Sequence, residues 1–299
     1  MGILYRQASM LLDAHRAGVQ MDRVVMIGRQ SLFLHKSELK RVRRVCSGAL
    51  DEYRWGEQAD RFLRECLGAK EIHSLDYSSF EGADILHDLN LPIPDALRAS
   101  FDVVIEAGTL EHVFNFPVAI ANLMQMIKVG GTIFGSTVAN NLCGHGFYQF
   151  SPELIFRIFT AENGFTLGEV VVAEARYPGV ELMPLSNAFG ITDPAEVGDR
   201  IGVMSRRPLM MFFQAQRTVD SEIFTRPPLQ SDYAAAWRSD NTSVKPQLRR
   251  WLKFLPGHTM LRRWLDNSPA GRRIRNRLTG QVQVKNFSLS NKRAFKRVP

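Results

Sequence analysis

Acidic residues follow two apolar runs of the sequence, at the points where buried strands are predicted to end. Asp76 comes directly after Glu71–Leu75, and Glu106 comes directly after Val103–Ile105. In an open α/β sheet, ligands bind beyond the carboxyl ends of the strands, near the point where the strand order reverses. An acid that ends a buried strand also needs a polar partner at that position. The two segments therefore predict a ligand site at one edge of a sheet.

Three further side chains are candidates for taking or giving a proton. His112 closely follows the second of these strand ends, and His145 and Tyr148 lie in the glycine-containing loop Asn140–Phe150. Function concentrates in loops of this kind, and imidazole titrates near neutral pH. We treat all three as candidate general bases. The structural alternatives are a helix-start pair Glu111–His112 and a packed loop whose polar groups are satisfied.

The second strand belongs to a strand–helix–strand unit. The uninterrupted apolar run Val103–Ile105 is typical of a strand buried on both faces of a parallel sheet. Phe116–Lys128 predicts a helix, because its apolar residues recur at helical spacing and Pro117 suits the first turn. Gly130-Gly131 predicts the end of this helix, and Thr132–Phe134 predicts the next strand.

The rest of the chain continues the alternation of strands and helices. Further strands are predicted at Val24–Ile27, Glu71–Leu75, Ala83–Leu86, Gly168–Ala173 and Leu209–Gln214, and helices within residues 2–18, within residues 32–67 and after Ser151, the predicted N-cap. The segment Tyr177–Pro208 is predicted to be an insertion between the last two strands.

The composition is that of a globular protein. The chain has 299 residues, of which 45% are hydrophobic and 23% are charged. Its cysteines, Cys46, Cys66 and Cys143, show no metal-binding spacing, which predicts reduced thiols and a cytoplasmic protein. A metal site could be assembled from His73, Asp76, His87 and Asp88, but nothing in their spacing requires it, so no metal site is predicted. No apolar run is long enough for a membrane span, and the first residues do not resemble a signal peptide.

Charge is distributed unevenly along the chain. Residues 245–299 contain 15 Lys and Arg and one acid, a net charge of +14, whereas residues 1–244 carry a net charge of −6. We therefore predict a domain over residues 1–230 and a basic C-terminal extension over residues 231–299. The asymmetry predicts an anionic partner for the extension alone.

Tryptophans and leucines alternate with arginines in this extension, as at Trp251, Arg262, Arg263 and Trp264. Such a mixture predicts amphipathic helices that lie on an anionic membrane surface, which places the protein at the inner face of the membrane. The alternatives are a helical hairpin packed on the body and an RNA-binding arm. The apolar residues favour the membrane and packing interpretations over nucleic acid.

The order of elements and several segments resemble the class I S-adenosylmethionine-dependent methyltransferases. FDVVIEAGTLEHV (101–113) resembles the family's fourth strand and LEH turn, IKVGGTIFGST (127–137) resembles its L-x-P-G-G turn and fifth strand, IHSLDYS (72–78) resembles its second strand, and ILHDLNLPIP (85–94) resembles the segment after its third strand. The loop HGFYQFSPE (145–153) resembles a loop found in methyltransferases that are associated with bacterial polysaccharide or glycolipid biosynthesis. The resemblance covers residues 24–216. It implies a Rossmann-like, doubly wound, mostly parallel seven-stranded sheet with a basic helical C-terminal extension.

The resemblance also implies S-adenosyl-L-methionine as the cofactor and a role for each strand end. Asp76 would accept hydrogen bonds from both ribose hydroxyls, since a carboxylate can serve two adjacent donors. Asp88 would take the adenine amino group, with Leu89 beside the ring. The full set of cofactor-binding residues implied in this way is Gly28, Arg29, Gln30, Asp76, Tyr77, Asp88, Leu89, Glu106, Ala107 and Gly108.

The sequence departs from the family pattern at the glycine-rich turn after the first strand. The turn is IGRQSL, in which Gly28 is retained but Gln30 and Leu32 stand where further glycines are usual, and Met26 replaces the usual acid. Glycine is needed there because backbone must approach the cofactor without a Cβ in the way. Val129 also replaces the proline of the later turn.

Two functions from different classes follow. The first is S-adenosylmethionine-dependent methyl transfer to an oxygen of a saccharide or glycolipid intermediate, with a small-molecule or glycan acceptor. The second is a non-catalytic protein of the same fold that acts as a scaffold in a membrane-associated assembly. A nicotinamide-dependent oxidoreductase is disfavoured, because no GxGxxG follows any predicted strand.

Overall fold

The computed structural model describes residues 2–46, 50–176, 179–198, 200–240, 268 and 288–298. Its helices are α1 (Tyr5–Arg16), α2 (Lys36–Val45), α3 (Asp60–Leu67), α4 (Phe116–Met126), α5 (Pro152–Ile158), α6 (Pro194–Val197) and α7 (Ser231–Asp240). Its strands are β1 (Gly2–Leu4), β2 (Arg23–Ile27), β3 (Ser31–Phe33), β4 (Glu71–Asp76), β5 (Ile85–Leu86), β6 (Phe101–Ala107), β7 (Ile127–Asn140), β8 (Phe165–Glu174), β9 (Ser186–Ile191), β10 (Leu209–Arg217) and β11 (Phe295–Arg297). Short 3₁₀ helices lie at Asp95–Leu97, Leu110–His112 and Ala161–Asn163.

Within the part of the chain that the structure describes, the large sheet has nine strands in the order β11-β9-β8-β10-β7-β6-β2-β4-β5. The strands from β5 to β7 pair in parallel, and β10 runs antiparallel between β7 and β8. The strand order reverses between β2 and β6, because the chain moves from β2 outward to β4 and β5 and then returns to the other side. This doubly wound sheet with a late antiparallel strand is the fold that the resemblance implies.

Helices cover both faces of the sheet. Alternate residues of β2 separate the two sides: Val24 and Met26 belong to the core cluster formed with α1, α2 and α3. On the other face α4 packs against β6 and β7, and Phe159, just after α5, contacts the ring of Phe213 at 5.5 Å between centroids. Burial of a strand on both faces explains the uninterrupted apolar runs in the sequence.

The sheet is larger and more mixed than the seven strands predicted. The additional strands β9 and β11 extend the edge beyond β8, and β9 comes from the segment predicted as an insertion. Its sequence, SNAFGI, mixes small, polar and apolar residues, so it gives neither an apolar run nor a regular alternation.

The two glycines after α4 also differ from the prediction. The helix ends at Met126, and the chain enters β7 immediately at Ile127. Gly130 and Gly131 therefore lie inside the strand, where a Cβ on Gly131 would lie 2.7 Å from the carbonyl oxygen of Asp102. The glycine is required there by the close approach of the β6 backbone.

The amino-terminal segment forms a small second sheet. Residues 2–4 were expected to be helical, but they pair in parallel with Ser31–Phe33 as β1 and β3, and the helix begins at Tyr5. Among the described residues of the region 32–67, helical structure is confined to α2 and α3.

The chain divides into two compact units. The first comprises Met1–Ile191, Ser205–Pro228 and Lys296–Pro299, and the second comprises Thr192–Met204 and Leu229–Phe295. In the second unit α6 packs on α7, and Arg200 pairs with Asp232. The division predicted at residue 230 stays a prediction. The amphipathic helices predicted for residues 245–299 fall outside the described residues, apart from residues 268 and 288–298.

In the part of the chain that the structure describes, none of the helices is long and apolar enough to cross a membrane.

The packing of β7 on β10 gives a test of this core. A Cβ on Gly135 would lie 2.0 Å from Cζ of the buried Phe213 ring, so Gly135→Ala should lower the free energy of unfolding by about 2 kcal/mol. Gly144→Ala is the control, because open space surrounds Gly144, and it should change stability by less than about 0.5 kcal/mol. Urea unfolding followed by circular dichroism measures both. Equal unfolding midpoints for the two variants would contradict this packing.

Candidate functional site

The candidate site lies at the carboxyl ends of β2 and β6, where the strand order reverses. The two strand ends are tied together, because the Thr109 hydroxyl donates a hydrogen bond of 2.8 Å to the carbonyl of Ile27. The end of β4 joins them through a 2.7 Å bond from the Gly28 amide to the carbonyl of Leu75. Ligands of doubly wound sheets bind beyond this edge.

Glu106 ends β6 with its side chain turned into the protein. The residue is fully buried, and Oε1 accepts hydrogen bonds from the amides of Gly108, Thr109 and Leu110 at 2.8, 2.6 and 3.2 Å. Burial raises the pKa of Glu106 to about 7, although the backbone hydrogen bonds oppose that shift. The resemblance implied that Glu106 binds the cofactor, and in the structure Oε1 of its carboxylate caps the turn. Ala107 is likewise buried.

Gly28 occupies a position that other residues would strain. Its φ of +71° is in the left-handed region, and a Cβ there would lie 3.2 Å from the Thr109 hydroxyl and 3.3 Å from Nε2 of Gln30. The same Cβ would lie 3.8 Å from Oδ2 of Asp76, so the structure brings Gly28 and Asp76 together.

The turn after Gly28 leads into a strand rather than a helix. Gln30 is buried, and its amide group donates back to the carbonyl of Ile27. Leu32 is fully buried in β3. Arg29 turns away to the Asp60 carboxylate at 3.0 Å. The two positions where the family has glycines are therefore filled by interior side chains.

The acids after β4 and β5 have different surroundings. Asp76 is half-buried, and its Oδ1 accepts from the Tyr77 amide at 2.6 Å, while the Tyr77 side chain is 76% exposed. Oδ1 of Asp88 accepts from the amide and the side chain of Asn90, and these bonds hold the pKa of Asp88 below its usual value. Leu89, the next residue, is buried.

Asparagines that sequence reasoning missed hold the Asp88 loop in place. Asn115 bonds Asn90 through its amide at 2.9 Å and its side chain at 3.0 Å. The buried Asn122 donates to the carbonyls of Leu89 and Leu91 and accepts from the Ile93 amide. A lone asparagine in a predominantly apolar predicted helix was the signal available in the sequence.

The 3₁₀ helix after β6 brings together two of the candidate bases and a buried acid. The rings of His112 and His145 lie 4.8 Å apart between centroids, nearly perpendicular, and Nε2 of His145 is 3.9 Å from Oε1 of Glu111. Glu111 is fully buried, and its Oε2 accepts from the Thr137 hydroxyl at 2.9 Å. Sequence reasoning treated Glu111 only as part of a helix start.

Burial determines the protonation of this cluster. Desolvation lowers the pKa of both imidazoles, and for His112 the charge of His145 lowers it further. Both rings are therefore held in the neutral form that accepts a proton or binds a metal. Desolvation, followed by the charge of Glu106, raises the pKa of Glu111 to about 8.

The loop from residue 141 to 150 docks on this 3₁₀ helix. The Phe147 amide donates to the Glu111 carbonyl at 2.7 Å, and the hydroxyl of Tyr148 donates to the carbonyl of Phe114, also at 2.7 Å. Phe114 and Phe147 are both largely exposed and contact each other edge-on at 6.1 Å. The third candidate base, Tyr148, thus uses its proton to hold the loop.

Comparison with solved structures finds methyltransferases and other proteins at low similarity. The YcgJ protein from Bacillus subtilis is 10% identical with a TM-score of 0.39, covering 72% of this chain and 99% of its own. The Burkholderia thailandensis 1,6-didemethyltoxoflavin-N1-methyltransferase, solved with S-adenosylhomocysteine, is 13% identical with a TM-score of 0.35. The match covers 72% of this chain and 78% of that enzyme's chain. The branched-chain polyamine synthase from Thermus thermophilus, solved with 5′-methylthioadenosine, is 12% identical with a TM-score of 0.34. The match covers 76% of this chain and 60% of the synthase chain.

No family model and no curated protein matches the sequence. The strand order of this chain carries the fold assignment by itself.

The capped turn after β6 can be tested by shortening the side chain that caps it. Glu106→Ala leaves three amides without their acceptor and should lower the free energy of unfolding by about 3 kcal/mol. Glu106→Gln keeps one acceptor oxygen and should cost about half as much or less. Thermal and urea unfolding compare the two variants. A glutamine variant as unstable as the alanine variant would show that the hydrogen bonds to Oε1 are not the stabilising interaction.

Proposed function

We propose that this protein is an S-adenosylmethionine-dependent methyltransferase that methylates an oxygen of a saccharide or glycolipid intermediate. The observation that carries the proposal is the approach of Asp76 to Gly28 beside the point where the strand order reverses. A carboxylate and a side-chain-free backbone meet there, at the edge where doubly wound sheets bind nucleosides.

The residues at this edge fit the nucleoside part of the cofactor. Oδ2 of Asp76 faces the Gly28 turn, and a half-buried carboxylate can accept hydrogen bonds from two adjacent ribose hydroxyls. The exposed Tyr77 ring stands next to Asp76 and offers an apolar face to an adenine ring. When bound, S-adenosylmethionine would supply an activated methyl group on a sulfonium.

The acceptor side of the proposal rests on the pair His112 and His145. A hydroxyl that is methylated must lose its proton, and a neutral imidazole can accept it. Lowered pKa values favour the neutral form of both rings. The exposed rings of Phe114 and Phe147 lie in the same loop pair and can pack against the C–H face of a sugar. The choice of a saccharide follows the resemblance of the HGFYQFSPE loop.

A second candidate function is supported by the turn after Gly28. Gln30 and Leu32 are buried, and the turn continues into β3 instead of a helix. Backbone amides that could receive the amino-acid part of the cofactor are fewer in such a turn. This arrangement favours a protein that has kept the fold and acts as a scaffold in a membrane-associated assembly.

Calorimetric titration with S-adenosylmethionine separates the two candidates. A methyltransferase should bind the cofactor with micromolar affinity, and Asp76→Ala should weaken binding about 10- to 100-fold, because a hydrogen bond to a charged group is lost. Asp95→Ala is the matched control, since this exposed carboxylate precedes β6 at the opposite end of the sheet.

Absence of binding in a folded wild-type sample would favour the scaffold. Binding that survives in the Asp76 variant would place the cofactor elsewhere. With binding established, transfer of a labelled methyl group to glycan and glycolipid acceptors tests the acceptor class.

We further propose that residues 245–299 bind an anionic membrane surface. The support is their net charge of +14 together with interspersed tryptophan and leucine. The full-length protein should sediment with phosphatidylglycerol-containing vesicles and not with phosphatidylcholine vesicles, and a chain ending at residue 240 should lose this binding. The membrane proposal would be contradicted if the protein bound RNA in preference to vesicles and a higher salt concentration abolished that RNA binding.

A further inference from the structure

We propose that Glu111, His112 and His145 bind a divalent transition-metal ion of the Zn²⁺ type at the mouth of the candidate site. The donor atoms of the three side chains all lie within 4.8 Å of one another. They come from two separate segments, the 3₁₀ helix after β6 and the loop that docks on it. The sequence predicted no metal site, because the ligands are not arranged in a recognisable spacing.

The donor atoms are close enough that small side-chain rotations would bring all three to one ion. Zn–N and Zn–O bonds of about 2.0 to 2.1 Å in a tetrahedral site place neighbouring ligand atoms about 3.4 Å apart. Oε1 of Glu111 and Nε2 of His145 are already 3.9 Å apart. The centroids of the His112 and His145 rings are 4.8 Å apart, so His112 can reach the same ion.

The carboxylate of Glu111 gives the independent indication of a ligand. Its Oε1 is buried and has no hydrogen-bond partner among the described residues, although the side chain is fully inaccessible to solvent. A buried oxygen without a partner is costly, and a cation bound there removes that cost. The other oxygen is held by the Thr137 hydroxyl at 2.9 Å, which leaves Oε1 directed toward His145.

The backbone around the three ligands is fixed in a way that suits a binding site. The Gly146 Cβ position lies 2.7 Å from the Glu111 carbonyl oxygen, and the Phe147 amide donates to the same oxygen. The loop carrying His145 is therefore docked directly on the residue that carries the buried carboxylate. The hydrogen bond from the Thr137 hydroxyl to Oε2 fixes the orientation of the Glu111 carboxylate, as hydrogen bonds to ligating side chains do in metal sites.

The donor set identifies the class of ion. Two imidazoles and one carboxylate suit Zn²⁺, Co²⁺ or Fe²⁺, whereas Mg²⁺ and Ca²⁺ prefer oxygen ligands alone. Three protein ligands leave a coordination position for water or for an oxygen of another molecule. Ion binding does not depend on the proposed methyl transfer, because it is measured on the protein without cofactor or acceptor.

Titration of the tag-free, full-length protein with zinc chloride, after chelator treatment and dialysis, tests the proposal. We expect one zinc ion per chain at this site. The substitutions His145→Ala and Glu111→Gln should each weaken its binding at least tenfold, and Thr137→Ala should weaken it about 10- to 100-fold, because the Glu111 carboxylate loses the hydroxyl that orients it. Cobalt substitution should give the d–d absorption of a four- or five-coordinate site, and this absorption should disappear in His145→Ala.

Two variants serve as controls for other ligands. Cys143 is exposed in the same loop, and His87 is a half-buried histidine near the end of β5. Cys143→Ser and His87→Ala should keep wild-type zinc affinity. Because His145 lies in a partly exposed loop, its alanine variant should fold, and circular dichroism checks this independently of the Glu111 variant.

Three results would overturn the proposal. They are absence of zinc binding by the folded wild type, unchanged affinity in His145→Ala and Glu111→Gln, and loss of binding in Cys143→Ser or His87→Ala instead. None of these results bears on whether the protein binds S-adenosylmethionine, so cofactor binding is tested separately.

Discussion

The buried carboxylate of Glu106 is the interaction on which the geometry of the candidate site depends. A fully buried acid at a strand end is costly unless donors surround it, and three consecutive amides of the turn after β6 supply them. That turn sets where Thr109 can reach across to β2 and where the 3₁₀ helix begins. The positions of Glu111 and His112 follow from the same turn.

The turn after β2 differs from the glycine-rich turn that the family pattern implies. In a glycine-rich turn the backbone stays open for a ligand, but here both Gln30 and Leu32 are buried, and Leu32 packs in the core cluster with α1, α2 and α3. The amino-terminal strand β1 pairs with this segment and stabilises its extended form. The proposed nucleoside site then consists of Gly28 and Asp76. The proposed cofactor would therefore depend more on the carboxylate than on a backbone cradle.

The sequence predicts the central sheet well and the candidate site in part, for physical reasons. Runs such as Val103–Ile105 are buried on both faces, so their hydrophobicity alone indicates their strands. β9 carries no such signal, and the Gly131 position depends on a contact with Asp102 that is distant in the sequence. The meeting of Glu111 with His145 likewise depends on how a loop 34 residues later docks, which local patterns do not contain.

Glu106 and Glu111 lie five positions apart in the sequence, and their surroundings distinguish a structural role from a functional one. Both are fully buried, both have raised pKa values, and each has one buried carboxylate oxygen without a hydrogen-bond partner among the described residues. Glu106 directs its other oxygen, Oε1, at three amides of its own turn. Glu111 has one hydroxyl partner on Oε2, while Oε1 faces a histidine from another segment. The oxygen of Glu111 without a hydrogen bond therefore lies among imidazole donors from two segments, which is the arrangement that the proposed ion would use.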